Sequence, residues 1–174
     1  MIVRRSLIRA FGRNVKGRRK RRHWRQVELA RRAHLKAKTI SEIERGLTNA
    51  RLSTVEAIAL AFQVGPAELL NRLSAKGKTL DREEVVFISE GWDAVDHGRN
   101  LVQAFGANVR FHRTRQNLSQ AQLARLTHVR MGTISEIELA KSDPRVSTVE
   151  SLALALQVDP MFLVRRPATD ESAT

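Results

Sequence analysis

Thr39-Ile40-Ser41-Glu42-Ile43-Glu44 recurs unchanged as Thr133-Ile134-Ser135-Glu136-Ile137-Glu138, 94 positions further along the chain. At the same offset Ile8 to Leu70 aligns with Val102 to Val164 without a gap, and roughly half of the pairs are identical, far above chance. The chain is therefore a tandem repeat. Each unit has about 65 residues, close to the lower limit at which a domain folds alone, so each core is expected to be small. The expected organisation is a first domain over 1–73, a linker over 74–100, a second domain over 101–167 and a polar, disordered tail over 168–174.

Within each unit the apolar residues fall at spacings of three and four, which predicts helices throughout. Leu7, Ile8, Phe11 and Val15 form the stripe of a first helix, matched by Leu101, Val102, Phe105 and Val109. A second helix runs from about Arg25 to Arg32 with Val27, Leu29 and Ala30 inward. Its partner starts at Ser119, a good N-cap, with Leu123 and Ala124 inward. Third helices follow at about Ala37 to Arg45 and Met131 to Leu139, burying Ile40, Ile43, Ile134 and Ile137. Ser53 and Ser147, each followed three residues later by Glu56 or Glu150, read as capping boxes that open a fourth helix. Pro66 and Pro160 open a fifth, proline being favoured at the first helical position. That fifth helix carries Leu69 and Leu70, or Phe162, Leu163 and Val164. Between the units, Val85 to Ile88 is an apolar run that a free linker would not carry, and a helix is expected over Asp81 to Ser89.

The formal net charge is +13, and residues 1–70 hold +12 of it, against −1 for residues 71–101 and +2 for residues 102–174. Solubility requires no run such as Arg18-Arg19-Lys20-Arg21-Arg22, so a polyanion, nucleic acid above all, is the expected partner. Without cysteine the cores have neither disulfides nor thiolate metal sites, and a reducing, cytoplasmic compartment fits. The longest apolar runs, such as Ala57 to Phe62, are far short of the roughly 20 residues needed to cross a bilayer. A soluble, nucleoid-associated protein with no cofactor and no membrane contact is expected.

Five short helices with a tight connection between the second and third make a helix-turn-helix arrangement, in which the third helix can lie in the major groove. The stretch NLSQAQLARLTHVRMGTISEIELAKSDPRVSTVESLALALQVDP, Asn117 to Pro160, resembles the Cro and phage-repressor family of the xenobiotic response element type. The resemblance rests on the Ser-Gln opening of the second helix, the Leu-Ala pair after it, Thr-Ile-Ser-x-Ile-Glu in the third, and Val-x-Pro before the fifth. It covers both repeats, which implies an all-α chain of two tandem five-helix, lambda-repressor-like domains joined by a partly helical linker.

The resemblance also implies roles. Gln26 and Gln120 match the glutamine that reaches the DNA backbone. Lys36, Ala37, Lys38 and Thr39, with Arg130, Met131, Gly132 and Thr133, match the exposed end of the recognition helix. A lysine there can donate to guanine, and a methyl group can meet that of thymine. Glu42 and Glu136, one turn on, could accept from cytosine or simply stay solvated. Asn49, Arg51 and Arg145 are placed like phosphate contacts, which hold register without reading sequence. Glu44 and Glu138 match a glutamate that pairs with an arginine of the first helix, here Arg19 and Arg113. Gly12 and Gly106 permit close helix approach. The first unit departs from the pattern at Trp24 and Arg25. With Trp24 in the core, Arg18, Lys20, Arg22 and Arg25 become additional phosphate ligands, and binding should be strongly dependent on salt.

Catalysis is not expected: the five histidines have neither metal-ligand spacing nor a nucleophile beside them. RNA binding would call for stacking aromatics, and several of the eight present belong to cores. A sequence-specific regulator that binds double-stranded DNA, in the main a repressor, is the principal expectation, acting as a covalent pseudo-dimer or within a larger homodimer. The alternative is an antitoxin-like protein that binds a partner protein through the linker or the second domain and represses its own operon.

Overall fold

A computed structural model describes residues 6–71 and 101–165. Among these the first unit contains α1 (Leu7–Arg21), α2 (Gln26–Arg32), α3 (Ala37–Glu44), α4 (Leu52–Phe62) and α5 (Pro66–Leu70). The second contains α6 (Leu101–Arg115), α7 (Gln120–Thr127), α8 (Met131–Glu138), α9 (Val146–Ala155) and α10 (Pro160–Leu163). The chain is all-helical, two copies of one five-helix unit. The expected helix over Asp81 to Ser89 and the tail from Ala168 lie outside the described residues.

In each unit the first helix packs on the third and fifth, and the second packs on the third and fourth. Two glycines set the closest approach. A Cβ on Gly12 would stand 2.1 Å from the Ile43 carbonyl oxygen, and one on Gly106 2.2 Å from that of Ile137, so no side chain fits where α1 crosses α3 and α6 crosses α8. The helices end alike as well. His23 and Asn117, His34 and His128, Gly46 and Ala140, and Gln63 and Gln157 all take positive φ, turning the chain sharply after each of the first four helices.

One inward assignment fails. Val27 is 66% exposed, because Leu29 and Ala30 take the buried face of the seven-residue α2. On α10 Leu163 is buried and Phe162 is 45% exposed.

The expected capping boxes at Ser53 and Ser147 do not form. Arg51 and Arg145 occupy the N-cap positions of α4 and α9 and provide no side-chain cap. The missing acceptors come from the other unit. The Leu52 N–H donates to the Pro144 carbonyl and the Val146 N–H to that of Ala50, both at 2.9 Å. Asp143 accepts the Ser53 N–H at 3.2 Å and its hydroxyl at 2.6 Å. Asn49 accepts the Ser147 N–H at 3.1 Å and donates to its hydroxyl at 2.7 Å. Glu56 takes the first N–H of α6, at Leu101, and Glu150 takes the first of α1, at Leu7. Each unit thus satisfies orphan donors at helix N-termini of the other, where carboxylates also meet the positive end of the helix dipole.

Every one of these contacts has its mirror 94 positions away, which is the signature of a twofold, isologous interface. Around it α1 packs on α9, α4 on α6 and α5 on α10. The buried side chains of both units form one continuous apolar cluster. Two units of marginal size therefore share a core instead of building two separate ones.

Candidate nucleic-acid interface

The anchor of each helix-turn-helix is a buried ion pair. Arg19 Nε and Nη2 meet Glu44 at 2.6 and 2.9 Å, and Arg113 meets Glu138 at the same two distances. The remaining guanidinium nitrogen donates to the Trp24 or Leu118 carbonyl at 2.7 Å, fixing the start of the second helix against the first. Gln26 and Gln120 complete the cluster, donating to the same glutamates at 2.9 and 2.8 Å. Burial works to raise the carboxyl of Glu44, but hydrogen bonds from Arg19 and Gln26 and the Arg19 charge outweigh it and hold the group below its ordinary value. Burial, Arg113 and Gln120 act on Glu138 in the same way and with the same net direction. The helix-turn-helix is thereby held in one geometry in both copies, independent of its tip residues.

Those tips are open to solvent. Lys36 and Arg130 are the N-caps of α3 and α8, and neither helix has a side-chain cap, so the first-turn N–H groups and the positive end of each helix remain available to an anion. Lys38 is exposed and its ammonium lies 3.9 Å from Glu42, which also accepts from the Thr48 hydroxyl at 3.1 Å. Ala37 and Thr39 flank it, half-buried. On the second unit Met131 is 56% exposed, a Cβ on Gly132 would meet nothing within 4 Å, Thr133 is half-buried and Glu136 is exposed. Two superimposable scaffolds therefore present Lys-Ala-Lys on one and Arg-Met-Gly on the other.

The remaining basic residues separate into two groups. Lys20 and Arg25 are exposed beside the start of α2. Arg18, by contrast, pairs with Glu68 of α5. Arg22 donates to the Phe62 carbonyl at the end of α4 and lies over the stacked rings of Trp24 and Phe62. Gln116 makes the same bond to Leu156 in the second unit, so this position caps the fourth helix in both. Asn49, Arg51 and Arg145 belong to the clasp between units: Arg51 donates to the Asp143 carbonyl at 3.0 Å and Arg145 to that of Asn49 at 2.8 Å. Both guanidinium groups stay exposed there.

Asn14 and Asn108 have no counterpart among the expected site residues. Each is buried in its first helix and donates twice to carbonyls at the end of the fifth, Leu69 and Asn71 or Leu163 and Arg165. Their identity across the repeat was the available signal.

The family described as helix-turn-helix matches residues 15–69 and again residues 109–163. The chain belongs to the helix-turn-helix family. The two matched stretches coincide with the two copies of the paired scaffold. This is a DNA-binding regulator family of the Cro-repressor type. No curated protein and no solved structure matches the chain. Among the described residues no helix is long and apolar enough to cross a membrane.

Proposed function

We propose that the chain is a sequence-specific repressor whose two helix-turn-helix units act as a covalent pseudo-dimer on one operator. The observation that carries this reading is the reciprocal clasp, Leu52 to Pro144 and Val146 to Ala50, with the Asn49 and Asp143 contacts around it. A twofold relation between units suits two recognition helices entering successive major grooves, about 34 Å and 10 bp apart, over an inverted repeat. Because the tips differ, the repeat is imperfect. Lys36 and Lys38 supply donors suited to guanine, whereas Met131 and Thr133 offer apolar contact suited to thymine methyl groups. Gln26, Gln120, Lys20 and Arg25 hold the phosphates on either side. Repression needs nothing further than occupancy of such a site.

Sites selected from random DNA, followed by sedimentation of the complex and footprinting, test this. One chain per duplex over two unlike half-sites is expected. Two chains per duplex would favour a larger homodimer, and protection of a single half-site would count against both arrangements. Replacing Lys38 or Arg130 by Ala should weaken the selected site by about 1–3 kcal/mol while leaving random DNA nearly unchanged. Equal losses on both would remove the reading role.

One observation favours the antitoxin-like alternative. Phe111 and Phe162 of the second unit are 54% and 45% exposed at positions where the first unit has Gly17 and Glu68. A stoichiometric partner that co-purifies with the chain and is lost on Phe111→Ser would support it.

A further inference from the structure

The outward face of α1 carries a row of cations of which the half-site contacts proposed above use only the last, Lys20. Arg9, Arg13, Lys16 and Lys20 stand at spacings of four, three and four residues, so they share one side of the helix, opposite buried Leu7, Phe11 and Val15. The row is anchored at the end of α3. A Cβ on Gly46 would lie 3.1 Å from Arg9 Cγ, and Arg45, exposed, is the adjacent residue. Among the described residues none of these five cations makes an ion pair. Arg13 Nε is buried with no hydrogen-bond partner at all.

The second unit shows that the fold does not require this row. Its equivalents are Gln103, Ala107, Arg110, Thr114 and Leu139, a single cation on the same backbone. Like charges at three- and four-residue spacing repel on a helix, so the row is a destabilising feature present on only one of two matching helices. A polyanion lying along it would relieve that repulsion.

Resting on the DNA-binding reading above, we propose that Arg9, Arg13 and Lys16 form a second phosphate-tracking surface, continuous with Lys20, that binds duplex DNA outside the half-site of the first unit. Continuity with α3 selects the partner. α3 carries the reading tip at its first turn and ends at Arg45, against Arg9, so the row begins on the recognition helix itself. From there the row runs along the side of α1 opposite its buried stripe to Lys20, beside the start of α2. The first unit thus grips its side of the operator through a longer stretch of backbone than the second.

The test uses the full chain and its variant Arg9→Gln, Arg13→Ala, Lys16→Gln, of which the first two install the residues of the second unit. Both proteins are titrated with a duplex of about 20 bp spanning the two half-sites, and with one extended on the first unit's side to about 40 bp. Wild type should bind the longer duplex more tightly. The variant should lose roughly tenfold on the longer duplex with its log–log salt slope reduced by about 3, lose less than twofold on the shorter one, and melt no lower than wild type. Equal loss on both duplexes would mean a general charge effect and overturn the proposal, as would no loss on either. Loss seen only with single-stranded RNA as the probe would reassign the surface to a different nucleic acid. Wild type that binds neither duplex would refute the DNA-binding reading itself, which is a separate outcome.

Discussion

Asp143→Ala tests whether the two units clasp one another in solution. Asp143 accepts the Ser53 N–H at 3.2 Å and its hydroxyl at 2.6 Å, so one change removes both an N-terminal acceptor for α4 and a charge-assisted bond. Losing such a cap costs about 1 kcal/mol, and a solvent-exposed side-chain bond adds about 0.5–1 kcal/mol. The expected destabilisation is therefore about 1.5–2 kcal/mol in urea unfolding at neutral pH. Were Ser53 instead to cap its own helix with Glu56, Asp143 would be an ordinary surface residue, worth about 0.5 kcal/mol or less. A double-mutant cycle with Ser53→Ala isolates the hydroxyl bond, because the backbone N–H survives that substitution. Coupling of about 0.5–1 kcal/mol is expected. Additivity within about 0.3 kcal/mol, the scatter of independent sites, would refute the clasp. Asn49→Ala should reproduce the result on α9, where the geometry is the mirror image.

Gly12→Ala drives a methyl to 2.1 Å from a backbone oxygen and should unfold the first unit or cost more than about 3 kcal/mol, whereas Gly17→Ala, with only the end of Arg21 within 4 Å, should stabilise by about 0.5–1 kcal/mol; comparable effects in thermal melts would show the helix crossing to be wrong. Ala140 takes φ +55 where the first unit has Gly46, so Ala140→Gly should stabilise by about 1 kcal/mol, and a loss of stability would contradict the left-handed turn. Glu44 and Glu138 are held below their ordinary 4.5, so their contribution is complete above that pH and is lost as pH falls through the lowered folded value. The double variant Glu44→Gln, Glu138→Gln should thus be less stable than wild type at pH 7 and approach it below pH 4.5; a gap that stays constant down to pH 2 would exclude these groups as the source.

The sequence by itself determined the unit and its helix-turn-helix scaffold. Apolar spacing placed the helices, since a helix buries one stripe whichever unit covers it. Identity across the repeat pointed to Gly12, Arg19 and Glu44 as scaffold, and divergence pointed to Lys36 to Lys38 and Arg130 to Gly132 as the variable tips. What lay outside its reach was every contact made between units. Ser53-x-x-Glu56 carries the pattern of a capping box, and a local pattern cannot reveal that Asp143 and Leu101, far along the chain, hold the better partners. For the same reason Arg22 reads as a free cation until the end of α4 is brought beneath it. A helix terminus has unpaired donors and acceptors whatever the sequence, and only the tertiary structure decides which residue reaches them first. Here that choice turned two copies of a small domain into one shared core.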